Sequence, residues 1–462
     1  MNTITVFPLR RLGALLLALL LAGCASLVRT PYSEPDLKVP STWQHTSDGK
    51  PVATAPWWQA FGDTQLNALV DEVLAHNADL AAAGIKLKRA QLNTGLTEDA
   101  FMPALGASAG NNLSKSLKGD GTVTRSYSAT ATLSWEADLW GKLASTRDAA
   151  QWEALASEQD KANTALSLIG STAKLYWQIA YLNQRLSLAA QSIAYSENTL
   201  TLAQRKFAAG AVTRLDVLQA EQDLASQRAS QSQLIQQREE ARTAFALLFD
   251  GPPHKDFTEP STLPAGTLPG IAADLPASLL AQRPDLRAAE LRLRSTLASG
   301  DATRLSYYPS LSLTGSLGSS SDKLRDVLSN PVAALASELA LPFLQQREMR
   351  LKTGVAQADY QLAVIQFRQA FYTALGDVEN ALSARTQNVQ QGQWLAQSLA
   401  NAAAAEKINA ARYRAGAIPL QTWLDSQEKR RSAESALAEN RYNQLTSQIT
   451  VNLALGGSMA ND

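Results

Sequence analysis

Few residues of this chain have the types and spacing that enzyme chemistry requires. The three histidines, His45, His76 and His254, lie far apart in the sequence and outside any metal-ligand spacing. No phosphate-binding loop, nucleophile elbow or pair of catalytic carboxylates stands out. We therefore predict that the protein is not an enzyme, has no catalytic or metal-binding residues and needs no cofactor.

The single cysteine, Cys24, has the sharpest chemical signature. It follows a positive segment around Arg10, a short apolar segment over residues 12–21 and two small residues. This order is typical of a secretory signal peptide, predicted here over 1–23. The sequence Leu-Ala-Gly-Cys resembles a bacterial lipobox, in which the cysteine carries the lipid, and Ala25 then favours sorting to the outer membrane. The alternatives are an ordinary signal peptide with an incidental cysteine and a buried structural cysteine.

Two glycines, Gly210 and Gly416, lie in matching sequence contexts. The first stands in Phe-Ala-Ala-Gly-Ala-Val and the second in Tyr-Arg-Ala-Gly-Ala-Ile. Each fits the position just beyond a helix end, where a left-handed backbone favours glycine. After the first turn, Thr213 and Asp216 have the spacing of a capping box. After the second, Pro419 suits the first turn of a helix, so the pattern predicts two helix pairs with tight turns.

The matching turns belong to an internal duplication. When the sequence is moved along itself by 206 residues, five separated blocks align without a net gap. The blocks are Asn77-Ala-Asp-Leu with Arg283-Pro-Asp-Leu, Phe101-Met-Pro with Tyr307-Tyr-Pro, Ile169-Gly with Leu375-Gly, the two turns, and Leu247 and Gly251 with Leu453 and Gly457. The predicted divisions are an anchor segment over 24–65, copies over 66–251 and 272–457, a Pro-rich linker over 252–271 and a tail over 458–462.

Within each copy the sequence predicts a helix, a β-hairpin and two long helices. A first helix runs from Leu66 to about Thr97, and the hairpins cover about 104–136 and 310–341. The second strand alternates between an apolar face and a hydroxyl face. The apolar face consists of Tyr127, Ala129, Ala131, Leu133 and Trp135, and the hydroxyl face of Ser126, Ser128, Thr130, Thr132 and Ser134. This pattern suits a membrane barrel with aromatic side chains near both ends of its strands, and a soluble sheet face is the alternative.

The helices that follow the hairpins are predicted to be very long. From Leu168 to Phe207, seam residues recur at alternating steps of four and three, which is the spacing of a coiled coil. A helix over about 142–208 spans roughly 100 Å at 1.5 Å per residue. A tube that crosses a compartment needs that length, whereas a globular domain does not. Gly170 and Gly376 lie inside the long helices, where we expect them to permit bending.

Composition narrows the class of protein further. Basic and acidic residues balance at 42 each, so no positive field is available to attract nucleic acid. Apart from the N-terminus, no apolar run approaches the ~20 residues that a spanning helix needs, so a chain that crosses a membrane must use β-strands in a closed barrel. Four strands cannot close one, because the smallest barrels have about eight. The chain must then oligomerise, with two, three or four copies all allowed.

Several weak motifs become specific through their order and their duplication. They are Leu21-Ala-Gly-Cys24, Pro56-Trp-Trp-x-x-Phe-x-Asp63, Asn77-x-Asp-Leu80, Arg283-Pro-Asp-Leu286, Tyr308-Pro309, the two glycine turns and Trp423-Leu-Asp425. Over essentially the whole mature chain, this set resembles the TolC-type outer membrane factors in their NodT-like lipoprotein branch. The resemblance implies a mainly α fold with a membrane β-barrel. The barrel is trimeric and 12-stranded, with four strands from each chain, and a long α-helical coiled-coil barrel continues it into the periplasm.

The resemblance also implies a function and partners. The chain is expected to be the outer-membrane channel of a tripartite efflux system, a passive homotrimeric conduit that carries small molecules to the exterior. Its expected partners are a periplasmic adaptor (a membrane fusion protein), an inner-membrane pump of the RND type and outer-membrane lipid, without nucleic acid. The alternatives are a duct for type I protein secretion and a non-channel periplasmic coiled-coil lipoprotein.

Residues in and near the glycine turns match functional positions of the family. The two turn glycines match the helix tips that contact the adaptor. Asp425 matches the carboxylate that rings the closed periplasmic gate, and Asp216 matches a position in the gate-closing contacts. The plainer interpretation of Asp425 is an exposed helix carboxylate, and that of Asp216 is a helix cap. Gln421 and Glu428 depart from the apolar and basic residues that are common in related ducts, which predicts a wetter and more acidic gate.

Overall fold

A computed structural model of the chain describes residues 28–45, 56–119, 121–271, 276 and 282–457. The predicted signal peptide over 1–23, the lipidation site Cys24 and the tail over 458–462 lie outside these residues, as do parts of the anchor segment and the start of the second copy. In the described part of the chain, no helix combines the length and the apolar character that crossing a membrane requires.

The two sequence copies fold into a similar order of elements. The first contains α1 (Thr64–His76), α2 (Ala78–Asp99), β1 (Ala104–Lys115), β2 (Val123–Ala137), α3 (Lys142–Ala208) and α4 (Arg214–Ala246). The second contains α5 (Pro284–Leu305), β3 (Ser310–Ser321), β4 (Val332–Ala340), α6 (Gln346–Arg414) and α7 (Leu420–Ala454). The helices α3 and α6 have 67 and 69 residues without a break, in line with the long helices predicted after each hairpin.

The chain divides into two compact units, and each is drawn from both sequence copies. The sheet unit consists of Met1–Leu37, Ile85–Gln159 and Arg287–Ala370. The helical unit consists of Lys38–Gly84, Asp160–Leu286 and Phe371–Asp462. The strands belong to the sheet unit, whereas both glycine turns belong to the helical unit.

The sheet unit contains one antiparallel sheet with the strand order β1-β2-β3-β4. On its apolar face, Ala131 of β2 pairs with Ala107 of β1 and with Leu317 of β3. On its hydroxyl face, Thr132 pairs with Gly106, and a β-carbon on that glycine would lie only 2.9 Å from the threonine Oγ1 atom. The alternation predicted for β2 therefore extends across the sheet, and the close approach of the Thr132 side chain favours glycine at position 106.

The core of the helical unit begins with the short segment before α1. Asp63 caps α1 by accepting the N–H of Leu66 at 2.9 Å, and its second oxygen accepts the hydroxyl of Tyr176 on α3 at 2.9 Å. Burial and then this hydrogen bond raise the pKa of Tyr176 above its ordinary value. The buried cluster around it includes Trp57, Trp58, Val70, Ile169, Ile179, Phe245 and Ile449.

The prediction of one continuous helix over 66–97 is wrong, because Asn77 separates α1 from α2. Its backbone is extended, with φ −65° and ψ 131°. Its side-chain oxygen accepts the N–H groups of Asp79 at 2.9 Å and Leu80 at 3.2 Å, and its amide donates to the carbonyl of Leu248 at 2.8 Å. Asn77 thus caps α2 and bonds a distant segment, and these contacts outweigh the local preference for a helix.

Gly170 has a packing role that the sequence did not reveal. A β-carbon at this position would lie 2.5 Å from the Cδ1 atom of Leu453 on α7, whereas one on Gly376 would meet nothing within 4 Å. Both glycines lie inside continuous helices. Gly170 therefore permits the close approach of α3 and α7, and the bending expected at both glycines stays a prediction.

Candidate functional site

The two glycine turns have the same backbone geometry. Gly210 has φ 73° and Gly416 has φ 76°, in the left-handed region that favours glycine. The N–H of Gly210 donates to the carbonyl of Phe207 at 2.9 Å, and the N–H of Ala211 donates to that of Lys206 at 2.9 Å. This is a Schellman motif, and the second turn repeats both bonds at 3.0 and 2.9 Å. The predicted position beyond a helix end is confirmed for both glycines.

Side chains join the ends of α3 and α6 within the helical unit. The Lys206 ammonium lies 4.5 Å from the ring centroid of Tyr413 and donates to the Tyr413 carbonyl at 2.8 Å. The same ring stacks on Trp423, with 5.2 Å between centroids and 29° between planes. A cation–π contact of this kind stabilises by about 0.5–1 kcal/mol at an exposed site. The turns are therefore fixed to each other by an aromatic cluster as well as by their own backbone bonds.

Asp216 lies in the first turn of α4 and caps it. Its carboxylate accepts the backbone N–H of Thr213 at 3.1 Å and the Thr213 hydroxyl at 2.9 Å, and its own N–H donates to the Thr213 carbonyl at 3.2 Å. Burial and then the charge of Asp216 raise the pKa of Tyr413 above its ordinary value. The predicted cap is confirmed, and a role of Asp216 in gate contacts stays a prediction.

Asp425 lies on the exposed side of α7, between the buried residues Leu424 and Ser426. Its carboxylate accepts a hydrogen bond from the side-chain amide of Gln421, one helical turn earlier, at 2.7 Å. Pro419 is the residue before α7 rather than part of its first turn, because its backbone is extended with ψ 159°. Gln421, which departs from the family pattern, and Asp425, which matches it, thus form one polar pair on the helix surface.

Glu428, the second residue that departs from the family pattern, belongs to an ion-pair network. Arg431 lies 2.8 Å from Glu428 and 2.8 Å from Asp223 on α4, and the side chains of Arg431 and Asp223 are each 13% exposed. Asp223 also accepts the Ser196 hydroxyl of α3 at 2.5 Å. The network ties α7 to α3 and α4, and the positive charge of Arg431 offsets the acidity expected from Glu428.

The sequence analysis missed Glu406, a carboxylate buried in the helical unit. It is 4% exposed and accepts hydrogen bonds from the Trp423 indole at 2.9 Å, from Arg430 at 3.4 Å and from the Tyr195 hydroxyl. Burial and then the bond to Glu406 raise the pKa of Tyr195 to about 12. Tyr195, Glu406 and Arg430 line a cavity of 220 Å³ together with Gln427. A buried carboxylate needs such donors, because burying a charge without partners is unfavourable.

A signal for Glu406 was present in the heptad pattern. Leu399, Glu406 and Tyr413 follow one another at intervals of seven residues on α6. Such positions normally hold apolar residues that face a neighbouring helix. A charged residue in the seam therefore indicates a buried polar layer, although its donors cannot be identified from the same helix.

The fold and its turns define the class of the protein, an outer-membrane channel. The chain is similar to the solved outer-membrane channel OprN, with 25% identity, a TM-score of 0.84, and coverage of 93% of this chain and 99% of that chain. It is also similar to the open state of the Neisseria gonorrhoeae MtrE outer membrane channel, with 28% identity, a TM-score of 0.82, and coverage of 93% and 98%. In this fold a membrane β-barrel is continued by an α-helical barrel, as the resemblance implied.

The family follows from the sequence comparison. The model of the outer membrane efflux protein family matches residues 69–249 and 275–457, so the chain belongs to this family. Relatives include the pyoverdine export outer membrane protein OpmQ of Pseudomonas aeruginosa, 29% identical over 467 residues and 98% of each chain. Another is toxin and drug export protein A of Aggregatibacter actinomycetemcomitans, 30% identical over 413 residues, 87% of this chain and 88% of that one. The protein is an outer-membrane efflux channel with its helical part in the periplasm.

Proposed function

We propose that three copies of the chain form a passive, non-enzymatic export duct, the outer-membrane component of a tripartite efflux system. The exposure of both sheet edges carries this proposal. Every residue of β1 is exposed, and so is every residue of β4 except the last. In a membrane, an open edge leaves backbone N–H and carbonyl groups without partners. Further copies of the chain are therefore needed to close the sheet.

Exposed apolar seams on the helices of the sheet unit support assembly. On α6, side chains more than half exposed recur at heptad spacing, namely Leu351, Val355, Leu362 and Ile365. On α2, a second such stripe consists of Ile85, Leu92 and Leu96. Apolar stripes of this length are covered in most proteins by another helix, here one of a neighbouring copy. Three copies give the twelve strands that the family resemblance implies.

The proposed partners are a periplasmic adaptor and an inner-membrane pump of the RND type. The adaptor contacts the tips at Gly210 and Gly416, whose rigid Schellman turns suit a defined docking surface. Small molecules are the proposed cargo, because relatives are named for the export of pyoverdine or of drugs. A protein-secretion duct is the second candidate, since the name of one relative includes toxin export.

The membrane anchor is assigned to Cys24, after removal of a signal peptide over 1–23. The segment that follows it supports the assignment. The backbone N–H and the hydroxyl of Thr30 each donate to Asp301 at 2.7 Å, and Arg29 lies 2.8 Å from Asp148. These contacts hold the chain shortly after Cys24 on the sheet unit, which carries the membrane strands.

The periplasmic gate is assigned to a ring of Asp425 side chains, with Asp216 in the gate-closing contacts. Asp425 is exposed, and its described partner is the neutral amide of Gln421. Threefold symmetry would bring three such carboxylates together in a constriction that attracts cations.

The duplicated units over 66–251 and 272–457 supply equivalent helix pairs, and the linker over 252–271 is assigned to an equatorial belt. Arg242 of α4 contacts this linker at Glu259, with a distance of 2.6 Å.

Reconstitution tests the duct directly. The purified chain should have the mass of a trimer in detergent and should conduct ions in planar bilayers. Together with a matching pump and adaptor, it should restore drug export in a strain that lacks its own duct. A monomer without conductance would contradict the proposal. A conducting trimer that supports protein secretion but no drug export would favour the second candidate.

A further inference from the structure

The two hairpins of the sheet have the same register. Ala104 pairs with Ser134 in the first hairpin, and Ser310 pairs with Ala340 in the second. Both partners are displaced by the 206 residues that separate the sequence copies. The duplication therefore fixes strand pairing to the residue, and not only the order of the elements.

One more type of pairing joins the two copies. The second strand of the first copy, β2, pairs with the first strand of the second copy, β3, so that Ala129 lies opposite Ser319. The corresponding strands that remain are β4, the second strand of copy two, and β1, the first strand of copy one. They are the two free edges of the sheet.

We propose that β4 pairs with β1 of a neighbouring copy in the register that repeats the β2–β3 pairing. This inference rests on the oligomeric duct proposed above. Displacing Ala129 and Ser319 by 206 residues in opposite directions gives Leu335 and Leu113. Leu335 therefore lies opposite Leu113 of the partner subunit, and the same rule applied to the Thr132–Ser316 pair places Glu338 opposite Gly110 of the partner subunit.

The side chains support this register independently. It joins two exposed leucines, Leu113 and Leu335, which are 65% and 83% exposed in the single chain. It also joins Ser337 to Asn111, two polar residues, and gives the long side chain of Glu338 a glycine neighbour. A shift by two residues would place Leu335 against Asn111 or Lys115, which loses the apolar cross-strand pair.

Shifts by one residue are excluded by the faces of the sheet. Successive side chains point to opposite sides of a strand, so a one-residue slip would move the apolar side chains of β4 to the hydroxyl face. Only even shifts compete with the proposed register. The test must therefore separate partners that differ by two residues.

Paired cysteines in the full-length chain make that separation. The variant with Leu335→Cys and Leu113→Cys should be oxidised to covalently linked subunits about tenfold faster than variants that pair Leu335→Cys with Asn111→Cys or Lys115→Cys. Directly opposed β-carbons lie ~5 Å apart, whereas diagonal ones lie ~7–8 Å apart. Each single-cysteine variant, which retains Cys24, serves as a control for reactions that do not involve the pair.

The mass of the particle in detergent separates the two ways of failing. A trimer in which the Asn111 or Lys115 variant reacts faster, or in which the three variants react equally, overturns the register and leaves the duct intact. A particle that stays monomeric overturns the duct itself. A second set of variants repeats the comparison on the hydroxyl face. It combines Glu338→Cys with Gly110→Cys, Ser108→Cys or Asn112→Cys, and the Gly110→Cys combination is expected to react fastest.

Discussion

The side-chain amide of Gln421 lies 2.7 Å from the carboxylate of Asp425, one turn further along α7. A neutral donor orients the carboxylate without cancelling its charge. An Arg or Lys at the same place would pair with Asp425 and lower its attraction for ions in solution. Asp425 therefore presents an oriented negative charge on the surface of the helix.

Removing this charge should lower the cation selectivity of the duct. Asp425→Ala and Asp425→Asn both take the carboxylates out of the proposed ring, so block by divalent or trivalent cations from the periplasmic side should weaken. Single-channel recordings measure both properties. Glu439→Ala is the control, because it removes an exposed carboxylate from the same helix. Unchanged selectivity and block in both Asp425 variants would mean that Asp425 is a solvated helix residue.

Loss of the buried carboxylate at Glu406 should destabilise the helical unit. Glu406→Ala leaves the Tyr195 hydroxyl and the Trp423 indole without their acceptor, which costs about 1–3 kcal/mol for each unsatisfied group. The thermal midpoint of the helical circular dichroism signal should fall by several degrees. Glu434→Ala is the matched control, because Glu434 also contacts Arg430, at 2.9 Å, but is 21% exposed. We expect the control to cost less than about 1 kcal/mol, and equal shifts would count against a special role for Glu406.

The duplicated glycines should respond differently to the same substitution. Gly170→Ala brings a β-carbon to 2.5 Å from Leu453 and should destabilise by about 1–3 kcal/mol through overpacking. Gly376→Ala meets open space and should stabilise by up to about 1 kcal/mol, since alanine favours helix. Thermal unfolding of the two variants beside the unmodified protein gives both signs. The explanation fails if Gly170→Ala is as stable as Gly376→Ala.

Acidification should weaken the attachment of the Pro-rich linker to α4. Burial opposes the charged form of Glu259, but hydrogen bonds from Arg242 and Asn183 hold its pKa below the ordinary value of 4.5. A group with a depressed folded pKa contributes its full stability above the unfolded pKa and loses it as the pH falls through the folded one. The temperature of the unfolding midpoint should therefore decrease when the pH is lowered below 4.5. This decrease should be smaller in the Glu259→Gln variant. Glu239→Gln is the control, because Glu239 contacts the same arginine but is 52% exposed.

Lipid attachment should depend on Cys24 alone. The chain has one cysteine, so Cys24→Ser should abolish incorporation of radioactive palmitate. The barrel should still insert through its apolar face, and channel activity need not be lost. Ser26→Ala is a control that leaves the cysteine in place and should keep full labelling. Palmitate found on the Cys24→Ser protein would rule out this attachment site.

Features set by local chemistry were predictable from the sequence. The turns at Gly210 and Gly416 depend on a backbone conformation that glycine favours, and the cap between Thr213 and Asp216 spans three residues. The alternation around Thr132 likewise needs only a few neighbours in sequence. Each of these signals is complete within a short segment.

Features that depend on distant partners were not predictable in the same way. The break at Asn77 is held in part by a carbonyl at Leu248, 171 residues further along the chain. The role of Gly170 requires knowing that Leu453 lies against it. Glu406 could be recognised as unusual in its heptad, but its donor Tyr195 lies 211 residues away. Long-range packing decides these cases, and a periodic pattern contains no information about it.

The chemistry of the hydroxyl face has a consequence for how solutes travel. Most of its side chains are Gly, Ala, Ser or Thr, which end within one or two bonds of the β-carbon, and its longest are Glu136 and Glu338, both in one row with Ser312. In the proposed duct the apolar face turns toward lipid and the hydroxyl face therefore lines the lumen, where a passing molecule would meet a hydrated surface without a deep apolar pocket to lengthen its residence time. Transit through the strands would then depend on width and hydration, and the Glu136 row would be the one point where an anion slows.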